Sequence, residues 1–211
     1  MILTGAGRAF CSGDDVREIM LGSDTPATRP IQVKGGVTPA AEALLTCDKP
    51  IVCAVNGPAV GWGMDLTLFC DIRVASEAAR FGELFIKRGL GADVGGTYRL
   101  PQVVGMAKAA ELLFTGDIIS AQEALRIGLV SYVAAPEELM ATARGIAGKI
   151  AANPPIAMRF TKEALRKGVQ QQLAPLGEFT SYAHRILFAT EDHKEGARAF
   201  IEKREPVFQG R

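Results

Sequence analysis

One aspartate, Asp65, stands two residues after a tight glycine turn, Gly61-Trp62-Gly63. Glycine adopts backbone conformations that other residues avoid, so the chain can turn sharply here. A carboxylate beside such a turn can take or return a proton. The amides of the turn can hold an anion, or an oxygen that becomes negatively charged during a reaction. The residue types and their spacing therefore predict proton transfer next to an oxyanion.

The elements on either side of this turn would bring its amides together. Ile51–Val55 is short, apolar and rich in β-branched residues, which favours a buried strand. Asn56-Gly57-Pro58 ends that strand, and a second apolar run from Met64 indicates a helix. A strand, a glycine turn and a helix in succession leave the first helical N–H groups without intrahelical partners.

Other functions fit the same turn less well. A dinucleotide-binding turn has the pattern G-x-G-x-x-G, but Leu66 stands where its third glycine would be. A phosphate-binding P-loop would require Gly-Lys-Ser/Thr, which is absent from this stretch. A strand–helix connection without any chemistry stays open on this segment alone.

A second glycine-rich turn, Gly5 to Gly13, follows a short apolar strand at the N-terminus. Together, the two turns resemble the enoyl-CoA hydratase/isomerase family, also called the crotonase family. Blocks of similar sequence run in the family's order from the first residue to about Arg204. The blocks are 3–15, 49–57, 61–66, 70–73, 95–100, 115–121 and 124–130.

The resemblance implies a fold class and a domain organisation. The expected fold is α/β, a crotonase-like spiral of ββα units with a C-terminal helical region. Residues 1–133 would form the spiral core with the CoA-ester site, and residues 134–211 a helical trimerisation region. Family members normally begin with further strands, so we expect preceding residues, a covering partner or reduced stability. A homotrimer or hexamer is the expected assembly.

The resemblance also implies a substrate and an oxyanion hole. The substrate would be an acyl-CoA thioester, whose carbonyl oxygen accepts hydrogen bonds from the backbone N–H groups of Asp14 and Trp62. The reaction would be double-bond isomerisation or hydration through an enolate that these amides stabilise. The indole of Trp62 could also line the acyl pocket. Residues expected to bind substrate or CoA are Cys11, Ser12, Gly13, Gly61, Phe85, Phe200 and Lys203.

The side chains would select the reaction. Hydratases of the family use two glutamates, and this chain has Asp65 and Phe85 at those positions. Dienoyl-CoA isomerases of the family look similar at two sites, with an aspartate at position 65 and a second acid at position 93, so Asp65 and Asp93 are the expected catalytic pair. The third acid of those isomerases again falls on Phe85 and is missing here. Asp65 could instead be only a helix N-terminal charge, and Asp93 only a turn residue. Glu83 is close enough in sequence to replace the missing acid.

Composition and charge limit the remaining functions. The chain has 211 residues, 48% of them apolar, and a net charge of +1, which does not favour nucleic acid or a membrane surface as partner. Four cysteines without a Cys-x-x-Cys pair indicate reduced thiols in the cytoplasm. His184 and His193 do not show the spacing of a hydrolytic triad or metal site, and no separate cofactor is expected, since coenzyme A is part of the substrate. A thioester or carbon–carbon hydrolase, or a non-catalytic CoA-ester-binding relative, is the alternative.

Coarser patterns predict the other elements. Strands are expected at 71–75 and 80–81, and the chain is expected to be helical from Val103 onwards. Ser120 and Glu123 form a capping box, Gly128 could end that helix, and Pro136 could begin the next. Further helices are expected near 16–20, 39–46, 137–151, 156–167, 176–189 and 194–204, and a loop at 21–39.

Overall fold

The computed structural model describes residues 1–13, 39–88, 90–92, 95–170, 186–187 and 189–211. The chain divides into a larger unit, residues 2–47 and 51–144, and a smaller unit, residues 1, 48–50 and 145–211. The helices predicted at 16–20 and 176–189 and the loop at 21–39 lie wholly or largely outside the described residues. In the part of the chain that is described, no helix is both long enough and apolar enough to cross a membrane.

The larger unit is built on parallel strands, as the sequence predicted. Strands β1 (Ile2–Thr4), β2 (Val52–Val55), β4 (Ile72–Ser76) and β7 (Tyr132–Ala134) pair in parallel in the order β1-β2-β4-β7. A second sheet has the order β3-β5-β6, from Pro58–Val60, Arg80–Gly82 and Ile119–Ser120, with only the last pair antiparallel.

The central strand β2 is buried along its whole length, because both faces of the sheet are covered. Cys53 is fully buried in it, which confirms the predicted buried strand. Burial, followed by the neighbouring Cys70 thiol, raises the pKa of Cys53 well above its usual value. Cys53 is therefore a neutral core residue.

Helices of the larger unit connect and cover these strands. They are α1 (Pro39–Thr46), α2 (Trp62–Leu68), α3 (Gly96–Val104), α4 (Met106–Thr115) and α5 (Ala121–Arg126), with a 3₁₀ turn at Ile86–Arg88. The amide of Glu123 donates to Ser120 Oγ at 3.2 Å, which confirms the predicted N-cap of α5. Gly128 follows the C-cap of that helix with a φ of 77°.

The prediction of an all-helical chain from Val103 onwards was wrong in two places. Ser120 and its neighbour Ile119 form β6, and Tyr132–Ala134 form β7 beside β4, with Val74 opposite Tyr132. Such short segments acquire strand structure from partners far away in the sequence, which local periodicity does not reveal. Pro136 lies in the turn that leads into α6 (Leu139–Ala151), where the amides of Glu138 and Leu139 both donate to the carbonyl of Ala135.

The smaller unit is helical in its described part, with α7 (Pro155–Gln170) and α8 (Glu191–Glu202) after the end of α6. Its C-terminal tail is held by Asp192, whose carboxylate accepts the amides of Gln209 and Gly210 at 2.7 and 2.8 Å. The helical C-terminal region expected from the sequence is thus present. The predicted boundary at residue 133 stays a prediction.

Candidate active site

The turn before α2 is fixed by its own backbone hydrogen bonds. Gly61 has φ 54° and ψ −127°, a conformation that favours glycine. Its amide donates to the carbonyl of Gly82 at 2.9 Å, and its carbonyl accepts the amides of Met64 and Asp65. The first helical amides, those of Trp62 and Gly63, have no carbonyl of their own helix within reach. They are therefore geometrically suited to an external acceptor.

The N-terminal turn packs directly on this one. Cys11 forms an isolated parallel bridge with Ala59, and its carbonyl accepts the amide of Val60 at 3.1 Å. Gly13 has a φ of 84°, and a Cβ built on it would lie 3.1 Å from the Val60 oxygen and 3.5 Å from the Trp62 nitrogen. Gly13 and the Trp62 amide are thus neighbours, although the two residues are 49 positions apart in the sequence.

A third glycine makes this approach possible. A Cβ on Gly63 would lie 2.7 Å from the carbonyl carbon of Cys11 and 2.9 Å from its Cβ, closer than side chains pack. Any larger residue at this position would therefore push the two turns apart. Of the predicted substrate-binding residues, Cys11, Gly13 and Gly61 are partly buried here, whereas Ser12 is exposed.

Asn56 positions the N-terminal turn, although its place in the sequence indicated only the end of a strand. Its Oδ1 accepts the amide of Gly5 at 3.0 Å, and its Nδ2 donates to the carbonyls of Gly7 and Ala9 at 2.9 and 3.2 Å. One side chain thus holds the first half of the N-terminal turn. An amide side chain directly after a buried strand was the available signal, because it can satisfy backbone groups of a neighbouring loop.

Asp65 is fully buried one turn into α2. A Cβ built on Gly96 would overlap Asp65 Oδ1 and lie 3.1 Å from Asp65 Cγ, so the carboxylate packs directly against this glycine. Gly96 is the first residue of α3, and the positive end of a helix dipole favours a negative charge at that position. The carboxylate is therefore held between the first turns of two helices.

The position of the family's second acid is apolar in three dimensions as well. Phe85 is 8% exposed, and its Cζ lies 3.9 Å from a Cβ built on Gly61. The ring therefore lies beside the turn that leads into α2. Glu83, two residues earlier, is buried as well, at 1% exposure.

An aromatic and cationic stack supports the first residue of α2. The rings of Trp62 and Phe69 meet edge to face with centroids 6.2 Å apart. The guanidinium carbon of Arg99 lies 4.5 Å from the centroid of Phe69, and Arg99 Nη1 donates to the carbonyl of Leu68 at 3.5 Å. This stack is a second contact between α2 and α3, in addition to the contact between Asp65 and Gly96.

The remaining predicted site residues lie either near the C-terminus or outside the residues that the structure describes. Asp14 and Asp93 are outside the described residues, so their roles stay predictions. In the smaller unit, Phe200 lies in α8, and Lys203 follows the helix with a φ of 52° and an exposed side chain. The neighbouring Arg204 contacts the carboxylates of Glu195 and Glu202 at 2.6 Å, and these contacts raise its pKa.

Comparison with known proteins places this arrangement in a family. A sequence model described as "Enoyl-CoA hydratase/isomerase" matches residues 1–211. The short-chain-enoyl-CoA hydratase of Clostridium acetobutylicum is 44% identical over 205 residues, covering 97% of this chain and 77% of that protein. The 1,2-epoxyphenylacetyl-CoA isomerase of Escherichia coli is 35% identical over 212 residues, covering 100% of this chain and 81% of that protein.

Solved structures agree. The crystal structure of an enoyl-CoA hydratase subunit from Geobacillus kaustophilus is similar with a TM-score of 0.89 and 40% sequence identity. The similarity covers 100% of this chain and 80% of that one. These findings confirm the crotonase-like α/β fold that the sequence blocks implied. The chain belongs to the enoyl-CoA hydratase/isomerase family.

Proposed function

We propose that the protein binds an acyl-CoA thioester with its carbonyl oxygen at the Trp62 amide and moves a double bond of the acyl group. As a member of its family it is an enzyme of the hydratase or isomerase type. The observation that carries the proposal is that Gly13 and the Trp62 amide are neighbours, with the buried carboxylate of Asp65 one turn further along α2.

The chemistry follows from charge. Removal of a proton from the acyl C2 places negative charge on the thioester oxygen, and preoriented amides stabilise that charge. The second donor of the oxyanion hole would be the amide of Asp14, which follows Gly13 directly in the sequence. Without such donors, a C2 proton is too weakly acidic for a carboxylate to remove at a useful rate.

Asp65 is the proposed base. It would take a proton from C2 of a 3-enoyl-CoA, and a proton returned at C4 would complete the shift to a 2-enoyl-CoA. This reaction needs no water as a reactant and no second carboxylate at position 85. The proton could be returned by Asp65 itself or by Asp93, and the reaction as written requires no separate cofactor.

Phe85 favours isomerisation over hydration. Hydration requires a group that activates the attacking water and a group that delivers a proton to the acyl C2. A phenyl ring beside Gly61 can do neither, because it carries no group that takes or gives a proton. Relatives named as hydratases keep hydration as the second candidate, with Glu83 as the acid that would serve it.

The test compares the wild type with Asp65→Asn, which preserves size and removes the base. With 3-hexenoyl-CoA as substrate, formation of the conjugated 2-enoyl thioester is followed by absorbance. We expect kcat to fall at least about a hundredfold, within the range for a general base, with little change in KM. Equal turnover by the two proteins would remove Asp65 from the mechanism.

Assembly, CoA contacts and location are part of the same proposal. We infer a homotrimer or hexamer, with Phe200 and Lys203 at the edge of the CoA site, and a cytoplasmic location. The cysteines, which are all free thiols, support the location. Sedimentation analysis of the protein in solution tests the assembly, since a monomer at micromolar concentration would contradict it.

A further inference from the structure

Trp62 combines two features that no other residue in this chain shares. It is the only tryptophan in the sequence, and its backbone amide lies beside Gly13 at the proposed carbonyl site. The family resemblance requires only the main-chain N–H at this position. The side chain is therefore free to serve another purpose.

The indole fills a slot between α1 and α2. It packs against a small apolar cluster in which Ala41 and Phe69 are buried and Leu44 and Leu45 are partly buried. Three of these four residues belong to α1, and Phe69 directly follows α2. Trp62 itself is only partly buried, so it lies at the edge of this cluster with part of its surface exposed.

The ring is held firmly in this place. Phe69 meets it edge to face, and the guanidinium carbon of Arg99 lies 4.5 Å from the centroid of the Phe69 ring. A Cβ built on Gly95 would lie 3.5 Å from Phe69 Cζ, so the backbone of this glycine lies beside the edge of the Phe69 ring. An acyl group that reaches the indole therefore meets a supported wall.

Helix geometry directs the acyl group towards this wall. Residues three and seven positions apart on an α-helix lie on the same side, so Trp62, Asp65 and Phe69 share one face of α2 and its C-terminal extension. If the carbonyl is at the Trp62 amide and C2 is within reach of Asp65, the acyl chain begins on the face that carries the indole. This step depends on the proposed function.

We propose that Trp62 determines acyl-chain specificity: its indole closes the apolar slot between α1 and α2 and restricts the substrate to short acyl groups. Replacement of the indole by a methyl group would open the slot, which Leu44, Leu45 and Phe69 would line. Longer, unbranched acyl chains would then gain an apolar site in which their additional methylene groups are removed from water.

The first experiment measures chain-length preference. The ratio of kcat/KM for 3-decenoyl-CoA to that for 3-hexenoyl-CoA is determined for the wild type, Trp62→Phe and Trp62→Ala. We expect the ratio to rise in that order, by about tenfold or more for Trp62→Ala. As a control, Phe114→Ala removes an aromatic ring that is 76% exposed on α4 and leaves the ratio unchanged. A Trp62→Ala enzyme that is active with the wild-type ratio would overturn the proposal.

The second experiment does not need turnover or a stable variant. Because Trp62 is the only tryptophan, its fluorescence reports on this one position. Saturated hexanoyl-CoA, which cannot be isomerised, should shift the emission of the wild type to shorter wavelength, and coenzyme A alone should not. Identical spectra with the two ligands would show that the acyl group does not reach the indole.

The two experiments also separate this proposal from the proposed function. The emission of Trp62 could shift with hexanoyl-CoA in a protein that turns over neither 3-hexenoyl-CoA nor 3-decenoyl-CoA. That result would support the contact between the acyl group and the indole and contradict the isomerase activity. Turnover of 3-hexenoyl-CoA with an unchanged chain-length ratio in Trp62→Ala would support the isomerase and contradict the role of Trp62 in acyl-chain specificity.

Discussion

Asp65 and Gly96 are in direct contact, although thirty residues separate them, and the missing side chain of Gly96 makes room for the carboxylate. A Cβ at position 96 would lie 3.1 Å from Asp65 Cγ and 3.3 Å from Ala92 Cβ. The first residue of α3 therefore sets the position of the proposed catalytic base in α2.

Gly96→Ala should displace the Asp65 carboxylate without removing it. Since a misplacement of about 1 Å can lower the rate by about a hundredfold, we expect kcat for 3-hexenoyl-CoA to fall by tenfold to about a hundredfold, with a smaller change in KM. Gly148→Ala is the matched control, because a Cβ there meets nothing within 4 Å. That helical substitution should stabilise α6 by about 1 kcal/mol and leave kcat unchanged. Full activity in Gly96→Ala would mean that the carboxylate does not need its present position.

Phe85→Glu should increase hydration. It would place a carboxylate beside the Gly61 turn, where the family's hydratases carry one, and a correctly placed general base can accelerate a step by about a hundredfold. We expect hydration of crotonyl-CoA to rise by at least about tenfold relative to isomerisation of 3-hexenoyl-CoA. Phe85→Gln has a similar shape without a base and should show no increase in hydration. Equal hydration rates in the two variants would show that the residue at position 85 does not determine whether the enzyme hydrates or isomerises its substrate.

Arg73 is expected to stabilise the fold through hydrogen bonds to backbone carbonyls near the C-terminal end of α2. Arg73 is 9% exposed, and its guanidinium donates to the carbonyls of Leu129 at 2.6 Å, Cys70 at 2.7 Å and Thr67 at 3.4 Å. Burial lowers its pKa, although the group remains charged. Arg73→Met would leave these buried carbonyls without their donor, at a cost of about 3 kcal/mol in the free energy of unfolding. Urea denaturation measures this difference, and a loss below about 1 kcal/mol would show that water or neighbouring groups replace the guanidinium.

A surface cluster around α5 should give a pH-dependent contribution to stability. Hydrogen bonds from Arg126 and then from Lys108 lower the pKa of Glu123 to about 2 from its ordinary value of 4.5. A carboxyl whose pKa is lower in the folded state stabilises the protein above pH 4.5 and loses that contribution as the pH falls towards 2. Glu123→Gln should therefore reduce the midpoint temperature of unfolding at pH 7 more than at pH 2. Since the cluster is exposed, the difference should be small and should shrink further in high salt. An equal reduction at both pH values would assign the effect to packing.

Local sequence was sufficient for the elements around Asp65. The β-branched run at Val52–Val55, the glycines at 61 and 63 and the apolar run after them predicted strand, turn and helix, and the structure has them. The Ser120 cap was equally readable, because a side chain that bonds three residues ahead is a local interaction.

Residues distant in sequence decided the rest. Periodicity did not reveal strand β7, since Tyr132–Ala134 becomes a strand only beside β4. The sequence likewise gave no sign that the Trp62 indole would lie against α1, or that Gly96 would adjoin Asp65. The residue types within one segment determine its backbone φ and ψ preferences. A contact between distant segments also requires the favourable free energy of packing one segment against the other. Only the folded chain supplies that packing, and it alone determined how the carboxylate, the amide and the indole are arranged.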